Sequence, residues 1–99
     1  MFIFSTELTE NIESLNKHLY KVFGIQQSLV CVEELAELQQ SISKMVRNSN
    51  DENKANLIEE IGDVLIVLNG LIEEYDICTR DIEKSMEYKI HRTKNRLNL

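Results

Sequence analysis

The 99-residue chain carries 17 acidic residues against 11 basic ones, with no proline, three glycines, no tryptophan and two cysteines, for a net charge of −6. That size suits one domain, expected over residues 1–99, since single domains run to about 100–150 residues. The composition excludes a disulfide-stapled secreted fold, a strand-rich chain, which would need frequent turn residues, and a general binder of nucleic-acid polymers, whose affinity comes from neutralising phosphates.

The opening Met1-Phe2-Ile3-Phe4 is apolar but lacks a basic leader and a small-residue cleavage site, so no signal peptide is expected. Next, Leu8, Ile12, Leu15, Leu19 and Val22 recur at the helical period, and Gly24 follows where a left-handed C-cap belongs. They predict a first helix over Thr6–Phe23. A second helix is expected from Ile25 or Gln26 to Arg47, with Val32, Leu35, Leu38, Ile42, Met45 and Val46 on one face, ending at the turn-forming Asn48-Ser49-Asn50-Asp51.

The third helix is expected over Glu52–Tyr75, with Leu57, Ile61, Val64, Leu68, Leu71 and Tyr75 as its stripe. Ile66 and Val67 fall outside that stripe, which implies contact on more than one side and, in so short a chain, cover from a second subunit. The apolar run Val64–Leu68 stops far short of the ~20 residues that span a bilayer, so a cytoplasmic protein with no membrane partner is expected. Thr79 reads as the N-cap of a fourth helix with Ile82, Met86 and Ile90 as its apolar face. The fold class is then all-α, a four-helix bundle-type domain completed by homodimerisation. Cys31 and Cys78 read as reduced, buried thiols, His18 and His91 as surface groups, and Tyr75, Tyr88 and the phenylalanines as packing residues.

Six acids carry the chemistry: Glu33, Glu34 and Glu37 on the second helix, and Glu59, Glu60 and Asp63 on the third. Residues three apart on a helix are neighbours, so Glu34 pairs with Glu37 and Glu60 with Asp63. A helical wheel puts Glu34 and Glu60 at the margins of their apolar stripes, where two packed helices approach. Solvated glutamates are the plain alternative. Against it stands the repeated acid pairing on two helices with no interleaved base. Mg²⁺ takes oxygen ligands in near-octahedral array and keeps waters and substrate phosphates among them, and two carboxylate pairs leave those positions open. After Lys89 come Arg92, Lys94 and Arg96 with no acid among them, a run suited to the phosphates of a small ligand.

The segment Glu33-Glu34-Leu35-Ala36-Glu37-Leu38, followed by Glu59-Glu60-Ile61-Gly62-Asp63-Val64-Leu65, resembles the ExxE…ExxD signature of the MazG-like all-α nucleoside triphosphate pyrophosphohydrolases. That superfamily includes the dimeric all-α dUTPases and phosphoribosyl-ATP pyrophosphohydrolase. The resemblance covers roughly Gln26 to Arg96.

It implies an enzyme that splits the α–β phosphate bond of a nucleoside triphosphate, giving the monophosphate and pyrophosphate. Mg²⁺, with Mn²⁺ as a substitute, would be held by Glu34, Glu37, Glu60 and Asp63, while Glu33 would orient or deprotonate the water. Lys89, Arg92 and Arg96 match the basic stretch that closes the family pattern and would hold the β- and γ-phosphates. Lys44, about two turns after Glu37, is a further candidate for substrate contact, as is Asn69, which stands where several relatives carry an asparagine. The implied assembly is a homodimer, or dimers paired into a tetramer. Two other readings remain at this point: a specialised dUTPase-like or phosphoribosyl-ATP-like hydrolase, and a non-catalytic helical module that binds nucleotide or protein.

Overall fold

In the computed structural model, which describes residues 4–99, the chain is all-α. Helix α1 spans Thr6–Phe23, α2 Ser28–Arg47, α3 Asp51–Glu74 and α4 Thr79–Arg96, with one 3₁₀ turn over Gly24–Gln27. Met1, Phe2 and Ile3, part of the opening read as no signal peptide, lie outside the described residues. Among the described residues no helix is long and apolar enough to cross a membrane.

The helix limits have local causes. The Ser5 hydroxyl accepts the Leu8 N–H at 3.1 Å and starts α1, and the Asn50 side chain accepts the Asn53 N–H at 2.7 Å and starts α3. Caps of this kind are each worth about 1 kcal/mol. Gly24 ends α1 at a φ of 66°, a conformation that favours glycine. The chain then turns once as a 3₁₀ helix, which delays α2 to Ser28 rather than Ile25 or Gln26. Helix α3 closes at Asp76, which has a φ of 50°; the Ile77 N–H reaches back to the Ile72 carbonyl at 2.9 Å, a Schellman-type closure. The N-cap of α4 is Cys78, which makes no side-chain cap bond, and Thr79 is the first helical residue.

Helices α2 and α3 form an antiparallel hairpin across Asn48–Asn50, and α1 packs on α3 from another side. The two contacts on α3 thus come from this same chain. The Cys31 thiol donates to the Val67 carbonyl at 3.3 Å, which fixes the hairpin register. On the α1 side, Asn16 is 2 % exposed and its Nδ2 donates to the Ile66 carbonyl at 2.9 Å. Opposite it stands Gly70, where an added Cβ would lie 2.7 Å from the Asn16 side chain, so only a glycine allows this approach.

The packed faces coincide with the apolar stripes only in part: on α3 Val64 is buried and Leu57, Leu68 and Leu71 are half-buried, as expected, while much of the α1 and α2 stripes stays open. On α2 the side toward α3 carries Cys31, Glu34, Leu38, Ser41 and Met45, whereas Val32, Leu35, Ile42 and Val46, expected inside, are exposed, Val46 at 81 %. On α1 the buried residues are Asn16 and Tyr20, and Leu8, Leu15 and Val22 stay open. On α3, Ile58 and Ile61 are open. On a wheel at about 100° per residue, the open residues of α2 and α3 fall on the same side of the hairpin.

Helix α4 forms no packed interface with the other three and buries no residue, and only its Ile82 is half-buried. The radius of gyration, 16.1 Å, exceeds the about 13 Å of a compact chain this size. Within one chain three helices pack together and α4 makes no packed interface with them. Two other expectations are corrected. Cys31 is buried, but Cys78 is exposed because it sits at the start of α4. Tyr88 (65 % exposed), Tyr75, Phe4 and Phe23 are not core residues. His18 and His91 are on the surface, as expected.

Candidate metal and nucleotide site

The hairpin register brings the acids together. Glu34 stands one turn beyond Cys31 on α2, and Asp63 one turn before Val67 on α3; Glu37 and Glu60 come a further turn along each helix. An antiparallel pair must therefore set the two acid pairs opposite each other. Carboxylate oxygens of Glu34, Glu37 and Glu60 lie within 4.8 Å of one another, close enough to ligate one cation. Asp63 is not within that tight group, but its charge acts on both Glu34 and Glu60.

Because α2 is rotated toward α3, Glu34 and Glu60 are half-buried, and the Oε2 atom of each is buried with no hydrogen-bond partner. Burial, then the charges of Glu37, Asp63 and Glu60, push the Glu34 pKa up; burial, then Glu37 and Asp63, push Glu60 up. Among the described residues no ion pair offsets these acids, since both ion pairs belong to Arg80, with Glu83 at 3.0 Å and Glu87 at 3.1 Å. A buried carboxylate oxygen without donor or counter-charge is costly. A divalent cation among these oxygens would remove the cost, and an all-oxygen donor set suits Mg²⁺ or Mn²⁺. The residues present fit such an ion.

The remaining candidates spread over the molecule. Glu33 is exposed on α2 beside the cluster. Asn69 is half-buried on α3, and its Oδ1 has no hydrogen-bond partner. Lys44 is exposed near the end of α2, where its carbonyl accepts the Asn48 N–H at 2.9 Å. Lys89, Arg92 and Arg96 are exposed along α4, and Arg92 stands over the Tyr88 ring at 5.8 Å. The hairpin brings the acids together; it does not bring the α4 bases to them.

One residue passed over in the sequence belongs to this region. Ser41, one turn after Glu37, is 1 % exposed and its hydroxyl has no partner. A serine one turn beyond a glutamate pair, in line with Leu38, was its only signal. Glu59, although exposed, adds its charge to the rise at Glu60.

One comparison with known proteins spans both the hairpin and α4. No curated protein and no solved structure matches the chain. The family model for the MazG nucleotide pyrophosphohydrolase domain matches residues 26–97, which takes in both acid pairs and nearly all of α4. On that match, spanning most of the sequence, the chain belongs to the MazG nucleotide pyrophosphohydrolase family.

Proposed function

We propose that the protein is a Mg²⁺-dependent pyrophosphohydrolase that cleaves a nucleoside or deoxynucleoside triphosphate to the monophosphate and pyrophosphate. The observation that carries this reading is the convergence of Glu34, Glu37 and Glu60 within 4.8 Å, two of them with a buried oxygen that has no partner, in a chain of this family.

Glu34, Glu37, Glu60 and Asp63 would hold the ion, and Mn²⁺ could replace it. When bound, the ion offsets triphosphate charge and lowers the pKa of a water it holds. The chain's own residues do the rest. Glu33 accepts the proton of the attacking water, whose oxygen bonds to phosphorus as the bridging P–O bond of the α–β linkage breaks and pyrophosphate leaves with the electron pair. Lys89, Arg92 and Arg96 bind the β- and γ-phosphate oxygens, and Asn69 and Lys44 contact the rest of the nucleotide. Phosphoryl transfer needs mainly positioning and charge stabilisation, which a stiff helical hairpin supplies. The working unit is one domain over residues 1–99, associated as a homodimer in the cytoplasm.

Product analysis over a panel of ribo- and deoxyribonucleoside triphosphates, with and without Mg²⁺, tests the proposal. Monophosphate and pyrophosphate in equal amounts, only with the ion present, are expected. Release of orthophosphate, or no turnover of any triphosphate, overturns it.

A further inference from the structure

One buried polar group beside the acids takes no part in the reading above. Ser41 is 1 % exposed on α2, and its hydroxyl has no hydrogen-bond partner. A serine inside a helix ordinarily settles its hydroxyl on the carbonyl four residues earlier, here that of Glu37, and this one does not. Burying a hydroxyl unpaired costs stability, and alanine would fill the same small space without that cost. The position therefore carries a donor that packing alone does not use.

Its place in the hairpin says what the donor can serve. Ser41 is seven residues past Glu34 and within about 20° of it on a helical wheel, so both look toward α3. It stands one turn past Glu37, about 6 Å along the axis. Counting equally both ways from the bond between Cys31 and Val67 sets Ser41 level with Leu57, one turn before Glu60. Helical side chains lean toward the N-terminus of their own helix. In an antiparallel pair that leans Glu60 toward the level of Ser41, and Ser41 toward the level of Glu60.

A buried hydroxyl with a proton to give thus stands near a buried Glu60 Oε2 that has no donor. The other buried acceptors without partners are further off: Glu34 Oε2 is two turns back on the same helix, and Asn69 Oδ1 lies beyond Val67 on α3. Among the described residues no ion pair reaches Glu60 either.

We infer that Ser41 is a positioning residue of the cation site, whose hydroxyl donates to one carboxylate oxygen of ionised Glu60 and so holds the other oxygen toward the ion. The inference rests on the reading of the acids as ion ligands given above, and adds to it a neutral donor that orients one of them. Hydrogen bonds of this kind fix a ligand's direction, and losing one typically costs about 10–100-fold in metal affinity.

Ser41→Ala and Ser41→Thr in the full chain test it, read by Mn²⁺ affinity from water-proton relaxation without nucleotide, and by the urea midpoint of chelator-treated protein. Ser41→Ala is expected to weaken Mn²⁺ binding about 10-fold or more, while the metal-free midpoint holds or rises because an unpaired buried hydroxyl is gone. Ser41→Thr keeps the hydroxyl, so its affinity should stay within about 3-fold of wild type even where the added methyl lowers the midpoint. In a Glu60→Gln background Ser41→Ala should cost no further affinity, since no carboxylate remains there to be oriented.

Ser41→Ala with wild-type Mn²⁺ affinity overturns the inference and leaves the hydrolase reading standing. So does an affinity that falls equally in the alanine and threonine variants along with the midpoint, the mark of a residue that only packs. A wild type that binds no Mn²⁺ overturns the inference together with the reading of the acids as ligands.

Discussion

The α2–α3 hairpin and α4 are both charged, amphipathic and helical, yet they handle charge in opposite ways. The hairpin sets like charges face to face and partly buries them, with Glu34 and Glu60 raised in pKa and no base beside them. Helix α4 keeps its charges in water and settles them locally, through Arg80 with Glu83 and Glu87, and Arg92 over Tyr88. The difference separates what tertiary packing imposes from what a helix arranges for itself. No single helix would bring Glu60 to within 4.8 Å of both Glu34 and Glu37. Only the stability of the surrounding interface keeps Glu34, Glu37 and Glu60 together, which is a common mark of a site rather than of a scaffold.

That comparison can be broken at several points, and the acids give the largest effect. Glu37→Gln with Asp63→Asn is expected to lower pyrophosphate release at least ~100-fold, since the variant loses half of the proposed ion ligands. It should also raise the melting temperature of the metal-free protein, because repulsion across the hairpin is relieved. A variant that keeps its activity would reduce the cluster to a solvated patch.

Packing gives the next effect. Gly70→Ala puts a Cβ 2.7 Å from Asn16, which is buried and held to the Ile66 carbonyl and so has no easy way to move. A loss of about 1–3 kcal/mol is expected in urea unfolding, less whatever the helix gains from alanine. If α1 simply shifted away at no cost, the α1–α3 contact would be as loose as α4.

A smaller effect lies in pH. Glu34 and Glu60 have higher pKa values in the folded chain than their ordinary 4.5, so their ionised forms oppose folding. The penalty is present above the raised values and disappears as pH falls through them toward 4.5. Metal-free protein should therefore gain hairpin stability on mild acidification from neutrality, and Mg²⁺ should reverse the trend, because the ion needs the ionised carboxylates. Thermal melts across that window, with and without Mg²⁺, check the sign. Wild type whose metal-free stability only falls on acidification would contradict it.

The smallest effect belongs to α4. Arg80→Ala removes two exposed ion pairs and should change global stability by less than about 0.5 kcal/mol, since exposed pairs are worth little. A larger loss in chemical denaturation would mean that the Arg80 face of α4 is packed rather than exposed.

Much of this was legible in the sequence. The 3.6-residue spacing, with Gly24 and the polar cluster Asn48–Asp51 as breaks, gave four helices with ends close to those observed, because such breaks act on their near neighbours; the caps Ser5 and Asn50 were not read as caps, and Thr79 proved to be one residue past its own. The acid pairs were legible for the same reason: spacing on one helix fixes which side chains are neighbours, and a short turn fixes that two such helices run antiparallel. Rotation of the helices was not legible. The stripe of Val32, Leu35, Ile42 and Val46 is the most apolar side of α2, and hydropathy alone turns it inward, but the structure buries Cys31 and Ser41 and half-buries Glu34 instead. The register bond at Val67 and the close approach of Asn16 to Gly70 depend on side chains distant in sequence, and no periodicity reports them. The seat of α4 was equally hidden, since its own pattern suits any apolar surface.

The three-residue connection at Asn48–Asn50 has a consequence for how the protein acquires its chemistry. All four acids come from one uninterrupted stretch, Glu34 to Asp63, folded about that short turn and pinned by Asn53, whose side chain donates to the Asn48 carbonyl at 2.8 Å. Closing so small a loop costs little entropy and can happen in microseconds, so the carboxylates meet early, before α1 docks. The hairpin can thus mature as its own cooperative unit, leaving the two flanking helices to vary without disturbing the acids.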